Sequence, residues 1–159
     1  DSAGGNLAAA VCLAARDRSG PRLVFQVLVY PVTDLVSFDT PSYRENAEGY
    51  YLTQSSMHWF RDHYLATPSD REHPYVSVLR APDLGGLPPA LVITAEYDPL
   101  RDEGDAYAVR LRDAGNVVTS KSYRGMIHGF FTMHPYLDGG KAAVKDIAAT
   151  LKPALARSN

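Results

Sequence analysis

Residues 1–11 read DSAGGNLAAAV, a serine set between an aspartate and small residues at the head of an apolar run. Leu7, Ala10, Val11 and Ala14 recur at helical spacing and Ser19-Gly20-Pro21 supplies a stop, so the spacing predicts a helix over Asp1 to Arg18. If a strand ran into Asp1, Ser2 would occupy a tight strand-to-helix turn. Asp1-Ser2-Ala3-Gly4 matches the last four positions of the pattern G-x-S-x-G, which builds such a turn around a nucleophilic serine. A sharp turn brings helix and strand close together, leaving no room for larger side chains beside the serine. The first glycine of the pattern is missing, so the sequence is expected to start inside the motif.

Outward from this turn, strands and helices alternate. Leu23 to Tyr30 is almost continuously apolar and valine-rich, as a strand buried on both faces of a parallel sheet requires, and Pro31 ends it. From Val32 to Pro89 the chain is irregular except for a helix expected from about Gln54 to Tyr64 with Thr53 as its cap. Excursions of that length tend to carry function. A second buried strand is expected at Leu91 to Ala95, then a helix from Asp102 to Ala114 with Gly115 closing it. Val117 to Tyr123 reads as a third strand, Gly125 to Pro135 as a loop, and Gly140 to Leu151 as a final helix that Pro153 helps to end. This is the order of an α/β protein with a parallel sheet.

With 159 residues there is room for one domain with a real core. Hydrophobic residues at 45% and charged residues at 21% exclude disorder, and a net charge of -2 without basic runs gives no support for nucleic-acid binding. No apolar stretch reaches the roughly 20 residues of a membrane helix. The single cysteine, Cys12, cannot form an internal disulfide and reads as a small buried side chain, which together with the absent signal pattern suggests a cytoplasmic protein. No histidines or carboxylates fall at metal-ligand spacing, so neither metal nor other cofactor is expected.

In parallel sheets, reactive groups gather where the strands end. Asp98 lies just past the second strand and His128 five residues past the third, while Ser2 precedes the first helix. An alcohol needs a base within reach before it can attack an ester at neutral pH, and His128 can be that base. The imidazolium that results needs a carboxylate to orient it, the role expected of Asp98. The Ala3 N–H, at a helix start, can stabilise an oxyanion, a contribution worth about 2.7–4 kcal/mol per donor.

DSAGGNLAAAV, YPVTD at 30–34, LPPALVITAEYDPLRDEG at 87–104 and GMIHGF at 125–130 resemble the hormone-sensitive-lipase-like branch of the α/β-hydrolases, including its bacterial esterases. The resemblance spans nearly the whole chain and implies Ser2 as nucleophile, Asp98 as acid, His128 as base and Ala3 as oxyanion donor. It further implies that residues 1–159 form the C-terminal part of one catalytic domain, without the family's HGGG loop, cap helices and first strands. Two departures are visible: Val78 and Arg124 stand where the family commonly has proline. The activity implied is hydrolysis of small or medium acyl esters through an acyl-enzyme, with water as second substrate. An amidase or formamidase on the same triad, or a ligand-binding protein on the hydrolase scaffold, are the alternatives, and retention of His128 argues against the second. Alone, the 159 residues are expected to be inactive and poorly soluble, and the final helix and strand at the sheet edge leave a homodimer open.

Asp102 is the rival to Asp98, although with Glu103 it reads more simply as an acid favoured at a helix N-terminus. His58, His63, His73 and His134 read as surface residues. Tyr30, Tyr97, Phe130 and Phe131 could line a pocket, but aromatics at strand ends are more often core.

Overall fold

Pro88 and Pro89 have no N–H to give a neighbouring strand, and the sheet begins immediately after them. In a computed structural model that describes residues 1–156, β2 (Ala90–Tyr97) is the central strand. It pairs in parallel with β1 (Gln26–Val29) on one side and β3 (Val118–Ile127) on the other. Gln26 is the first paired residue of β1. Its N–H donates to the Pro89 carbonyl at 2.9 Å and its side-chain amide to the Pro88 carbonyl at 3.1 Å. Leu23 to Phe25, expected as part of this strand, lie outside it because the chain opposite them is the proline pair.

β3 departs from expectation in the other direction. Gly125, at φ 71°, takes a conformation that other residues rarely adopt, and its N–H donates to Glu96 Oε2 at 2.6 Å. A register shift between Ala95 and Tyr97 then lets Ile127 pair with Tyr97. The strand therefore runs through the region expected as the start of a loop, and His128 follows its last residue directly. Arg124, where a proline would have removed an N–H, lies within this strand.

Alternation along β2 separates two cores. Ala90 and Val92 face α1 (Ala3–Asp17) and α4 (Arg101–Asp113), packing with Leu13, Leu28, Tyr107 and Leu111. Leu91, Ile93 and Ala95 face the opposite way, against Tyr30, Phe130 and Ala143 of α5 (Asp138–Ala156). Cys12 is buried in the first core, and burial pushes its thiol up to about 11. α5 does not stop at Pro153: it continues to Ala156, because a proline removes one N–H but leaves the following residues free to complete the turn.

The excursion between β1 and β2 folds around a third core of Val32, Leu35, Phe38, Tyr43, Leu52, Met57 and Leu100. It contains α3 (Gln54–Tyr64), capped reciprocally by Thr53 and Ser56, and two short 3-10 turns, Pro68–Glu72 and Val78–Arg80. α2 (Pro41–Glu45) was not anticipated, although its start carries two ordinary signals, the Thr40 cap and Pro41 at the first helical position. No helix among the described residues is long and apolar enough to cross a membrane.

Among the described residues, β1 is paired with β2 alone along its length. Beside its entry, residues 22–25, Pro88, Pro89 and Pro153 help line a concavity of about 1220 Å³. An open strand edge next to an uncovered hollow favours pairing with other chains. Expressed alone, the 159 residues are expected to self-associate in sizing chromatography with light scattering; a stable monomer would contradict this.

Candidate active site

Three segments distant in sequence meet at the C-terminal rim of the sheet. Ser2 stands at φ 52° and ψ -122°, a backbone conformation costing a non-glycine residue about 1–3 kcal/mol. It is held there by its neighbours. The Ser2 N–H donates to the Val29 carbonyl at 2.9 Å, while its own carbonyl accepts from Asn6 N–H at 3.2 Å and Val32 N–H at 3.3 Å. The hydroxyl is thereby presented to His128.

His128 Nε2 lies 2.9 Å from Ser2 Oγ, and Nδ1 lies 2.8 Å from Asp98 Oδ2. Asp98 is fully buried and His128 is 6% exposed, so solvent has little access to the bond between them. The second carboxylate oxygen of Asp98 accepts from Leu100 N–H at 2.9 Å, and the Asp98 carbonyl accepts from Arg101 N–H as α4 begins. With both oxygens engaged, the carboxylate has a fixed direction. Asp102, one turn along, is occupied elsewhere: it accepts from Ser42 N–H at 2.7 Å and from Arg101 Nε at 2.9 Å.

Tyr30 closes one side of the histidine, with ring centroids 4.5 Å apart, and its hydroxyl donates to Asp1 Oδ2 at 3.2 Å. Burial and the Asp98 charge push its phenol up to about 12. Tyr30 and Phe130 are buried core residues, whereas Tyr97 is partly exposed and stacks on Tyr50. His58, His63, His73 and His134 are exposed. Among the described residues no group of three or more His, Cys, Asp or Glu could hold a metal ion.

Ala3 opens α1 next to Ser2, and the first N–H groups of a helix have no carbonyl one turn earlier to bond. A cavity of about 290 Å³ begins there, lined by Ser2, Ala3, Leu7, Leu35, Leu52, Met57 and Phe60 among others. Its surface is mostly apolar, although Asn6 and Arg61 also border it. Two contributors were not singled out from sequence. α3 supplies the far wall, which no local motif announces, and Asn6 donates through Nδ2 to the carbonyls of Val32 and Val76, both at 2.9 Å, tying the excursion to α1. Glu103, read as a helix-start acid, instead turns inward and is 2% exposed.

A family described as alpha/beta hydrolase fold matches residues 1–132. The chain belongs to the α/β-hydrolases, in their hormone-sensitive-lipase-like branch. Among curated members of the superfamily, the carboxylic ester hydrolase LipN of Mycobacterium tuberculosis is 40% identical over 99% of this chain and 43% of its own length. The ethyl acetate hydrolase of Pseudomonas putida is 40% identical over 84% of this chain and 42% of its own. The structure of the hyperthermophilic esterase from Pyrobaculum calidifontis superposes with a TM-score of 0.93 at 47% identity, covering 96% of this chain and 50% of that one. This α/β-hydrolase chain thus spans about half the length of the relatives it matches or less.

The hydrolase turn depends on close approach of α1 to the chain after β1. A Cβ added at Gly5 would sit 2.9 Å from Pro31 Cβ and 3.1 Å from Pro31 Cα, whereas one added at Gly4 would meet nothing within 4 Å. Gly5→Ala is therefore expected to destabilise the intact protein by about 1–3 kcal/mol in thermal unfolding. Gly4→Ala is expected to cost less than Gly5→Ala, because among the described residues nothing stands within 4 Å of its added Cβ. Equal effects of the two would contradict the packing described.

Proposed function

We propose that this chain carries the reacting groups of a serine carboxylic-ester hydrolase, with Ser2 as nucleophile, His128 as base and Asp98 as the acid that orients it. The observation that carries the reading is the continuous chain of hydrogen bonds through one imidazole, 2.9 Å to Ser2 Oγ on one side and 2.8 Å to Asp98 on the other. The esterase names of relatives across most of the chain support the same reading.

In this reading the Ser2 hydroxyl attacks the ester carbonyl carbon as its proton passes to His128 Nε2. Asp98 accepts the Nδ1 hydrogen bond throughout, holding the tautomer in which Nε2 is free to accept and stabilising the imidazolium. Charge gathers on the former carbonyl oxygen, where Ala3 N–H is the donor this chain offers. Collapse of the tetrahedral species breaks the bond to the alcohol, which leaves with the proton from His128. Water then repeats the sequence on the acyl-serine, restoring the hydroxyl and releasing the acid. The cavity beside Ser2, largely apolar in surface although Arg61 is among its lining residues, suits a small or medium acyl group.

In the intact protein, a fluorophosphonate probe is expected to label the wild type and to leave Ser2→Ala unlabelled; persistence of the label in the variant would reject Ser2. Asp98→Asn is expected to lower kcat by about 10⁴-fold on a short-chain nitrophenyl ester, through loss of the orienting carboxylate. Asp102→Asn should leave most of that activity, and the reverse ranking would exchange their roles. An ester and an amide of the same acyl group, compared on the intact protein, separate esterase from amidase.

A further inference from the structure

Glu103 is a buried carboxyl with no part in the reaction set out above. It stands in the first turn of α4, where an acid ordinarily faces the unpaired N–H groups of its own helix. Its side chain crosses instead to the segment that follows β1. Oε1 accepts from Thr33 N–H at 2.6 Å and from Asp34 N–H at 3.2 Å, and the Thr33 hydroxyl donates to the Glu103 carbonyl at 3.0 Å. One residue earlier, Val32 donates to the Ser2 carbonyl and accepts from Asn6. At this same end α4 grows out of the turn that carries Asp98, through Arg101 N–H on the Asp98 carbonyl at 3.1 Å.

We propose that Glu103 is a positioning residue that clamps the Asp98 turn to the Val32–Asp34 segment, and so sets the separation of acid and serine on either side of His128. Without its carboxyl the two segments would keep one directed bond, from the Thr33 hydroxyl to the residue 103 carbonyl, and would lose the two backbone N–H groups that the carboxyl holds.

Burial favours the protonated form of the Glu103 carboxyl. Glu103 Oε2 and Tyr43 Oη are both buried without a hydrogen-bond partner, and the carboxyl is near enough to Tyr43 to help hold its phenol above the ordinary range. The titratable groups around Glu103 are Tyr43 from α2, Asp34 and Asp98. Burial, and then the charges of Asp34 and Asp98, push its carboxyl up to about 8 against the downward pull of the Thr33 and Asp34 N–H groups. Because the folded group binds its proton more tightly than the unfolded one, its contribution is fully present below about 4.5 and is lost as pH rises through about 8. A glutamine keeps the accepting oxygen and supplies N–H groups toward Tyr43, yet cannot titrate.

The experiment uses Glu103→Ala and Glu103→Gln in the intact protein, and only its kinetic arm rests on the esterase reading. Glu103→Ala is expected to lower kcat by about 100-fold with little change in KM, as a displacement of reacting groups does. It should also shift or broaden the low-field proton resonance of the His128–Asp98 hydrogen bond, with Glu103→Gln recovering most of both losses. Between about pH 4.5 and 8, Glu103→Gln should gain stability over the wild type as pH rises, read by denaturant unfolding. A folded Glu103→Ala with wild-type kcat and resonance overturns the proposal, as does a Glu103→Gln protein as impaired as the alanine variant. If the alanine variant does not fold, the glutamine variant and its pH dependence decide. If the wild type turns over no ester, the reading under "Proposed function" fails while the resonance still tests the clamp.

Discussion

The Ser2 backbone is gripped from both sides by the chain leaving β1: its N–H bonds the Val29 carbonyl at 2.9 Å and its carbonyl takes the Val32 N–H at 3.3 Å. A serine at φ 52° does not rest there unaided. The hydrogen bonds and the tight contact of Gly5 with Pro31 hold the backbone in that conformation, and the conformation in turn decides where the hydroxyl points. Everything on the far side of the histidine is arranged to meet a hydroxyl whose position is already set.

The sheet supplies the rest of the arrangement. Parallel pairing brings the ends of β2 and β3 to the same rim, so the turn after β2 delivers Asp98 and the residue after β3 is His128. Two hydrophobic cores of opposite facing hold β2 rigidly between α1, α4 and α5. The third core, under the long excursion, holds the apolar wall of the cavity against Ser2. Hydrogen bonds that Asn6 donates and Glu103 accepts join that excursion to the two helices whose first turns flank Ser2 and Asp98.

Much of this was legible in the residues. The alternation of valine-rich runs with helical spacing marks the parallel sheet, and the motif around Ser2 marks the turn. Boundaries were harder where one residue overrode a pattern. Leu23 to Phe25 look like strand, but the prolines opposite them offer no N–H; Gly125 looks like a loop, but its left-handed backbone carries β3 onward to Ile127. The side chains that join segments, Asn6 and Glu103, were illegible for a different reason. Their local sequence suits an ordinary helix start, and their partners lie 26 to 70 positions away. The wall formed by α3 is of the same kind, an amphipathic helix whose destination depends on the fold.

The contact between Ser2 and His128 spans 126 of the chain's 159 positions. Closing so long a loop has an entropic cost that grows only logarithmically, about 4 kcal/mol for its length-dependent part, but no local structure repays it in advance. The sheet and its cores must therefore be in place before the hydroxyl and the imidazole can meet, and topologies dominated by distant contacts are reached slowly. The contact between Ser2 and His128 therefore depends on the pairing of all three described strands, and anything that loosens one of them loosens it.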